Sequence, residues 1–264
     1  MLNTPCLGQI PVVKLPGRTP CPLVTKHGKR PGFAESIRLL RIRVHKAMEG
    51  GKQVLLVSSA IPGEGKTTVS TNLAISLAKH GSRVLLVDCD LRNPSVAKAL
   101  EISSTLCISD YVSGQATLQD LTIPTEVKNL SVISGGEGGR DNAAETLANA
   151  KTAELVDAAR KHYDYVILDT PPCSLLADAS EIAEVADCGL LVVRHDFASR
   201  SQIIDGAQRL TDAGLPLIGC VFNSVHQNLT DRYSYGYGYG YGYGYGYGYG
   251  SYGHYGAKDA EEIE

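Results

Sequence analysis

The sequence has no tryptophan, only three phenylalanines and two methionines, so aliphatic side chains must build its core. Its seven cysteines form no C-x-x-C pair and no metal-ligand spacing, which argues against a cysteine-based metal centre or disulfide framework and favours a reducing compartment. No run approaches the ~20 apolar residues of a membrane span, and the proline-rich start contains no signal-peptide apolar segment. These absences predict a cytosolic protein.

Tyrosine is the exception among the aromatic residues. Of the 14 tyrosines, 11 lie between Tyr233 and Tyr255, where tyrosine alternates with glycine. Composition therefore predicts three segments: a basic, proline-rich flexible leader over residues 1–31, a folded domain over 32–230 and a disordered Tyr/Gly-rich tail over 231–264. A body of roughly 200 residues is large enough to bury a full core.

Charge is distributed unevenly along the chain. The formal net charge is −3, yet residues 1–53 carry ten Lys and Arg against two acidic residues. The acidic balance of the remainder argues against a nucleic-acid binder, whereas the basic segment suits an acidic partner or a lipid surface.

From residue 32 onward, short aliphatic runs alternate with helical patterns. The runs predict strands at 54–58, 84–87, 130–133, 165–168, 189–193 and 217–222. The helical patterns cover 33 to about 50, 67–80, 152–162, 178–186 and 200–213. Continuous Val, Leu and Ile runs are typical of strands buried on both faces, so we expect an α/β fold with a mostly parallel central sheet flanked by helices. Ligands of such sheets bind at the carboxyl ends of the strands.

The loop after the first of these strands has the pattern of a phosphate loop. Residues 58–68 read SSAIPGEGKTT and match G-x-x-x-x-G-K-[ST], with Ala60 at the first glycine position. Backbone N–H groups and the following helix N-terminus would bind a β-phosphate. Lys66 would reach the β- and γ-phosphates, and the Thr67 hydroxyl would complete a Mg²⁺ shell. A strand before the loop and a helix after it favour a P-loop NTPase over an incidental glycine-rich connector.

Two further strand ends carry carboxylates. Asp88 and Asp90 follow the strand at 84–87, and Asp169 follows the strand at 165–168. Mg²⁺ needs hard oxygen ligands and an incoming hydroxyl needs a proton acceptor; from the residues alone, Asp88 or Asp90 could serve either role, or cap the next helix. Three such loops at one sheet edge predict ATP or GTP binding with Mg²⁺.

In order, these three motifs resemble the Walker A, Walker A′ and Walker B motifs of the bacterial tyrosine kinases that control extracellular polysaccharide synthesis. The resemblance rests on PGEGKT at 62–67, DCDLR at 88–92 and DTPP at 169–172, and covers about residues 32–256. In many related partitioning and division-site-positioning ATPases a signature lysine stands where this chain has Ile61, which favours the kinase branch.

The resemblance implies ATP and Mg²⁺ as cofactors and assigns roles to individual residues. The catalytic residues would be Lys66, Asp88, Asp90 and Asp169, with Asp88 as the base, and the metal ligands Thr67, Asp88, Asp90 and Asp169. Arg92 would orient Asp88 or a phosphate, and Asn223 would contact adenine. The nucleotide contacts would comprise Pro62, Gly63, Glu64, Gly65, Lys66, Thr67, Thr68, Arg92 and Asn223.

The first predicted helix carries Glu35, Arg38 and Arg41 in an E-x-x-R-x-x-R pattern. Spacing of three places them along one exposed flank, where a solvated ion pair would give the same pattern. In the family that the chain resembles, this motif packs subunits into a ring, which implies a homo-oligomer interface here.

Tyr-Gly alternation cannot define a packed core or a strand register, and alone it would indicate a self-associating low-complexity tract. Beside a kinase-like site, we expect it to be autophosphorylated in trans within an oligomer. The candidate phosphorylation sites are Tyr233, Tyr235, Tyr237, Tyr239, Tyr241, Tyr243, Tyr245, Tyr247, Tyr249, Tyr252 and Tyr255.

The predicted function is therefore an autophosphorylating protein-tyrosine kinase that regulates extracellular and capsular polysaccharide synthesis and export. The resemblance implies a stand-alone cytoplasmic kinase, held at the inner face of the membrane by a polysaccharide co-polymerase that activates it. One alternative is a P-loop ATPase switch that controls partner assembly without protein phosphorylation. Another is an assembly scaffold with a degenerate nucleotide site.

Overall fold

The computed structural model describes residues 4–14, 21–27, 32–104, 106–136, 142–173 and 178–226. Eight strands form one sheet in the order β1-β8-β7-β2-β6-β3-β5-β4. They are β1 (Cys6–Pro11), β2 (Val54–Ser59), β3 (Val84–Asp88), β4 (Ile123–Pro124), β5 (Leu130–Ile133), β6 (Tyr165–Asp169), β7 (Cys188–Arg194) and β8 (Leu217–Val225). All neighbouring strands are parallel except β4 and β5.

Helices cover both faces of this sheet. They are α1 (Val24–His27), α2 (Phe33–Ala47), α3 (Lys66–Lys79), α4 (Val96–Leu100), α5 (Ile108–Val112), α6 (Leu118–Leu121), α7 (Ala143–Leu147), α8 (Ala150–Arg160), α9 (Asp178–Glu181) and α10 (Arg200–Asp212). The helix predicted at 178–186 is instead α9 followed by a 3₁₀ turn at Ile182–Val185.

Burial on both faces explains why the aliphatic runs become central strands. Every residue of β2, β3 and β6 is buried, and successive side chains enter two hydrophobic layers, one on each face of the sheet. The predicted α/β fold with a mostly parallel sheet is confirmed, and all six predicted strands occur close to their expected bounds. Because these strands are parallel, their carboxyl ends meet at one edge, where the phosphate loop and the three aspartates lie.

Helix α2 shows how a polar helix is held on this sheet. Phe33, Ile37, Leu40 and Val44 recur at helical spacing and are fully buried in the layer that α2 shares with α3. Gly32, with φ of +79°, begins the helix in the left-handed region that glycine adopts readily. The opposite flank of α2 carries charged residues.

Part of the segment predicted as a flexible leader is folded into the domain. Strand β1 lies at the edge of the sheet, parallel to β8. Further on, the Asn72 side chain on α3 accepts from Val24 N at 2.7 Å and donates to Pro22 O at 2.7 Å. Cys21 and Leu23 are buried beside it. The sheet therefore includes residues that precede residue 32, the boundary that composition predicted.

The tail predicted over residues 231–264 lies outside the described residues. Within the described ranges, no helix combines the length and apolar character needed to cross a bilayer.

Candidate active site

The phosphate loop joins β2 to α3 through two glycines with positive φ. Gly63 has φ of +82° and Gly65 has φ of +91°, and α3 begins immediately afterwards at Lys66. A Cβ on Gly65 would collide with the Asn223 side-chain nitrogen, so the close approach of β8 also requires glycine there. The geometry brings the N–H groups of the first helical turn to the carboxyl edge of the sheet, an arrangement that suits an anion.

Glu64 lies inside the loop and not on its phosphate-binding side. It is fully buried, its Oε2 accepts from Ile61 N at 2.9 Å, and its Oε1 accepts from Arg194 N at 3.2 Å. Arg194 also donates from Nη1 to Gly63 O at 3.2 Å. The Glu64 carboxylate therefore holds backbone of the loop and of β7, and the nucleotide contact that the resemblance implied for this residue stays a prediction. Arg194 is a positioning residue that the motifs did not indicate.

Asn223 also serves the loop. Its Nδ2 donates to Glu64 O at 2.9 Å, and the side chain is buried. It is absent from the described wall of the cavity beside the loop. The implied adenine contact stays a prediction, and in this structure the amide fixes the loop from the end of β8.

The acidic loops and the phosphate loop form one site. The Thr67 hydroxyl donates to Asp169 Oδ2 at 2.6 Å, and Asp169 pairs in register with Asp88 across β3 and β6. Asp169 Oδ1 is buried without a hydrogen-bond partner among the described residues. An unpaired buried carboxylate oxygen is costly, and a cation or its water shell would satisfy it.

Ser95 completes this arrangement and was not predicted. Its hydroxyl lies 2.8 Å from Thr67 Oγ1, and its backbone N–H donates to Asp88 Oδ2 at 2.8 Å. Ser95 stands 28 residues from Thr67 and belongs to none of the three motifs. Only the fold brings it to the site.

Asp88 is fully buried and accepts from three backbone N–H groups. Ser95 N and Val96 N donate to Oδ2 at 2.8 and 2.9 Å, whereas Oδ1 accepts only a longer bond of 3.2 Å from Asp90 N. Burial, followed by the nearby Asp169 carboxylate, raises the pKa of Asp88 above its usual range. Burial also raises the pKa of Asp169, against the opposing effects of Thr67 and Lys66. Both carboxyls consequently hold protons more tightly than exposed aspartates do.

A cavity of about 410 Å³ opens beside these residues. Its wall includes the side chains of Lys66, Thr67 and Asp90. The remaining lining residues are Pro62, Gly63, Gly65, Thr68, Arg92, Asn93, Ser95, Pro171 and Pro172. This volume lies in the range of small-molecule sites. A cationic side chain, a helix N-terminus and hard oxygen donors on one wall fit a nucleotide phosphate chain with Mg²⁺.

Arg92 reaches the cavity but does not contact Asp88. Its Nε and Nη2 donate to Asp178 at 2.7 and 3.2 Å, and Asp178 is buried at the start of α9. Arg92 therefore does not orient Asp88 in this structure, because its guanidinium is paired with Asp178, and its alternative role of orienting a phosphate stays a prediction. Asp178 was not singled out from the sequence; its contribution is to hold Arg92 at the cavity wall.

The flank of α2 that was predicted as an oligomer contact is exposed. Glu35 accepts two bonds from Arg38, at 2.8 and 2.6 Å, and both side chains are 54% exposed. Leu39 and Ile42 are exposed on the same helix, at 40% and 42%. The ion pair lies within the chain, as the spacing predicts; the interface remains a prediction. The candidate tyrosines of the tail lie outside the described residues.

Comparison with known proteins shows the family to which this chain belongs. Residues 52–212 match the AAA domain family. A tyrosine-protein kinase of the cps region of Klebsiella pneumoniae is 38% identical over 200 residues, covering 75% of this chain and 28% of its own. The tyrosine-protein kinase CpsD of Streptococcus agalactiae is 31% identical over 208 residues, covering 78% of this chain and 83% of its own.

A solved kinase-domain structure is also similar to this chain in fold. The kinase domain of the Escherichia coli tyrosine kinase ETK superposes with a TM-score of 0.77 and 28% identity, over 92% of this chain and 95% of that domain. The chain thus spans less than a third of the Klebsiella relative but nearly all of the ETK domain. Its sequence and its fold match these kinases over most of its length, and this chain belongs to the bacterial tyrosine-kinase family of the capsule and exopolysaccharide systems.

Proposed function

We propose that this protein is an ATP-dependent protein-tyrosine kinase that phosphorylates the tyrosines of its own tail and regulates capsular and extracellular polysaccharide synthesis and export. The observation that carries the proposal is the contact between Thr67 and Asp169, which joins the phosphate loop to the acidic edge in a single site. Membership of a family whose relatives are named tyrosine-protein kinases supports the same activity.

The proposed chemistry depends on positioning and charge more than on covalent intermediates. The N–H groups of the loop and the Lys66 ammonium would hold the β- and γ-phosphates, with the Thr67 hydroxyl and the carboxylates of Asp90 and Asp169 available for Mg²⁺. Bound Mg²⁺ would neutralise charge on those phosphates. The tyrosine oxygen would bond to the γ-phosphorus as the bond to the bridging oxygen breaks and ADP leaves.

Asp88 is the proposed acceptor of the tyrosine proton. Its Oδ2 is held by two short backbone bonds, but Oδ1 accepts only the longer bond from Asp90 N, which leaves a lone pair available. The raised pKa of Asp88 increases its affinity for that proton. The backbone bonds to Oδ2 would fix the orientation of the carboxylate, with Ser95 and Val96 acting through Asp88.

We further propose a homo-oligomer, in which α2 supplies the contact and the tail of one subunit enters the site of the next. Exposed Leu39 and Ile42 beside the Glu35–Arg38 pair support a contact surface, since they present apolar area next to charge. Arg41 lies on the same helix and is half-buried. A flexible chain as long as the tyrosine-rich window spans about 25–30 Å, enough to reach a neighbouring subunit.

The proposal extends to an activating partner. A membrane polysaccharide co-polymerase would hold the kinase at the inner face of the membrane, and the basic first 31 residues are a candidate contact. Each phosphotyrosine adds about −1.5 to −2 charges, so several of them would make neighbouring tails repel and release the assembly.

Purified full-length chain incubated with ATP and MgCl₂ tests the activity by phosphotyrosine mapping. We expect phosphate on tyrosines between 233 and 255 in the wild type and its loss in Lys66→Met. Lys79→Met is the matched control, because Lys79 ends the same helix and is exposed. Absence of a Lys66-dependent signal, even with the partner's cytosolic segment present, would refute the kinase. ATP-dependent assembly without phosphotyrosine would support the ATPase switch instead.

A further inference from the structure

Two cysteines face each other where the first and last described strands meet. Cys6 on β1 is the register partner of Cys220 on β8, and Cys220 N donates to Pro5 O at 2.9 Å. The two residues stand 214 positions apart in the chain and belong to none of the nucleotide-site motifs. Their juxtaposition is created by the pairing of β1, the strand that composition did not predict.

The two side chains lie on the same face of the sheet. On the opposite face, a Cβ on Gly219 would approach Leu7 Cδ1 within 2.7 Å and Pro5 O within 2.9 Å. Since side chains alternate along a strand, Leu7 and Gly219 share that face, whereas Cys6 and Cys220 share the other. The absence of a side chain at Gly219 lets β1 lie close to β8 beside the cysteine pair.

This placement suits a covalent bond between the two sulfurs. Neighbouring strands lie about 4.7–4.9 Å apart, within the Cα separation of about 4.4–6.8 Å that disulfides span. Cys6 is exposed and Cys220 is half-buried, whereas the other cysteines of the described chain are buried. Both members of the pair are free thiols here, and a small oxidant in solvent can reach Cys6.

The surroundings of Cys6 favour its thiolate. The Cys220 side chain, which can donate a hydrogen bond to it, lowers the pKa of Cys6 below its usual range, and the Arg43 cation adds to this effect. Arg43 is held nearby by a bond from Nη1 to Leu7 O at 3.2 Å. The same interaction raises the pKa of Cys220, as expected for the donor of that bond. An exposed thiolate with a second thiol beside it is the arrangement that oxidants attack selectively.

We propose that Cys6 and Cys220 are a redox-sensitive pair that a peroxide converts into an intramolecular disulfide. The Cys6 thiolate attacks one peroxide oxygen, the O–O bond breaks, and Cys6 becomes a sulfenic acid. Cys220 sulfur then attacks the Cys6 sulfur, the S–O bond breaks, and the disulfide forms. Both sulfurs are oxidised by one electron each, and hydrogen peroxide with the two thiol protons yields two water molecules. An external dithiol reverses the reaction.

The disulfide would tie the N-terminal strand to the strand that positions the phosphate loop. Asn223, which donates to Glu64 O in that loop, follows Cys220 by three residues on β8. A bond that closes a loop of this length constrains the unfolded chain strongly, so oxidation should raise the unfolding temperature. This sulfur chemistry at the sheet edge does not depend on phosphoryl transfer.

Peptide mapping tests the pair directly, because trypsin places Cys6 and Cys220 each in a peptide that contains no other cysteine. Cys6 lies in residues 1–14 and Cys220 in residues 210–232. The full chain is treated with hydrogen peroxide, alkylated, digested without reductant and examined by mass spectrometry. We expect a species that joins these two peptides in monomeric protein and disappears on treatment with dithiothreitol. A dimer of peptide 1–14, or sulfinic acid at Cys6 without the joined species, would overturn the proposal.

Cys6→Ser and Cys220→Ser serve as matched variants, since serine preserves size and neither cysteine is fully buried. Each should abolish the joined peptide and the peroxide-induced rise in unfolding temperature, and Cys220→Ser should leave Cys6 to oxidise to sulfenic acid. Hydrogen exchange gives a second readout: the amides of residues 7–10 and of Val12 should exchange more slowly after oxidation in the wild type only. Equal exchange before and after formation of the joined species would contradict the tying of β1 to β8.

Discussion

Substitution of Gly65 tests how the last strand shapes the phosphate loop. At φ of +91°, Gly65→Ala introduces backbone strain of about 1–2 kcal/mol. The new Cβ also collides with the Asn223 amide, which must abandon its 2.9 Å bond to Glu64 O. Loss of a buried bond of this kind costs about 1–3 kcal/mol. The free energy of unfolding should therefore fall by about 2–5 kcal/mol, measured by urea denaturation of nucleotide-free protein.

Gly63→Ala is the matched control for this prediction. Its φ of +82° imposes similar strain, but the nearest atom to the new Cβ is Phe197 Cζ at 3.3 Å, on a ring that is 46% exposed and can move. We expect a loss of only about 1–2 kcal/mol. Asn223→Ala, which removes the colliding amide, should bring the cost of Gly65→Ala close to that of Gly63→Ala. Equal costs for the two alanines in the wild-type background would refute the reasoning.

Three further predictions concern charge, the oligomer and the metal. The pKa of Asp88 is raised in the folded state, so folded Asp88 holds its proton more tightly than unfolded Asp88 does. The free energy of unfolding should therefore decline from about pH 4 to about pH 8. Asp88→Asn should flatten this slope in thermal unfolding, and an unchanged slope would contradict the assignment. Combined Glu35→Ala, Arg38→Ala and Arg41→Ala should convert oligomers to monomers in sedimentation velocity while ATP binding persists; unchanged sedimentation counts against the α2 interface. Ser95→Ala removes the hydroxyl beside Thr67 and should weaken Mg²⁺-dependent nucleotide binding several-fold, with Mg²⁺-free binding unaffected. Calorimetry measures both affinities, and an equal loss without Mg²⁺ would refute this role.

The central part of the fold follows from local sequence. Residues 54–57 and 166–168 are aliphatic throughout, a pattern typical of strands buried on both faces, and the loops after these strands carry the phosphate and acidic motifs. The position of Lys66, Thr67 and Asp169 at one edge was therefore predictable. Parallel strands necessarily bring those loops together.

The remainder depends on contacts between distant residues. Strand β1 has a glycine and a proline within six residues, so neither periodicity nor propensity marks it, and its pairing depends on β8 far along the chain. Ser95 and Asn223 likewise acquire their roles only when the sheet forms. A carboxylate in a phosphate loop likewise gives no local sign that it folds inward, as the Glu64 side chain does.

The strand order also constrains how the protein is made. Strand β1 is synthesised first, yet its only strand partner in the described sheet is β8, which ends at Val225. During synthesis the rest of the sheet can assemble on the ribosome before the backbone groups of β1 pair with β8. Closure of such a long loop is among the slowest events in folding. The β1 edge of the sheet, beside the strand β8 that supports the phosphate loop, is thus finished last. Pulse-labelled hydrogen exchange during refolding should find residues 6–11 protected after residues 54–59.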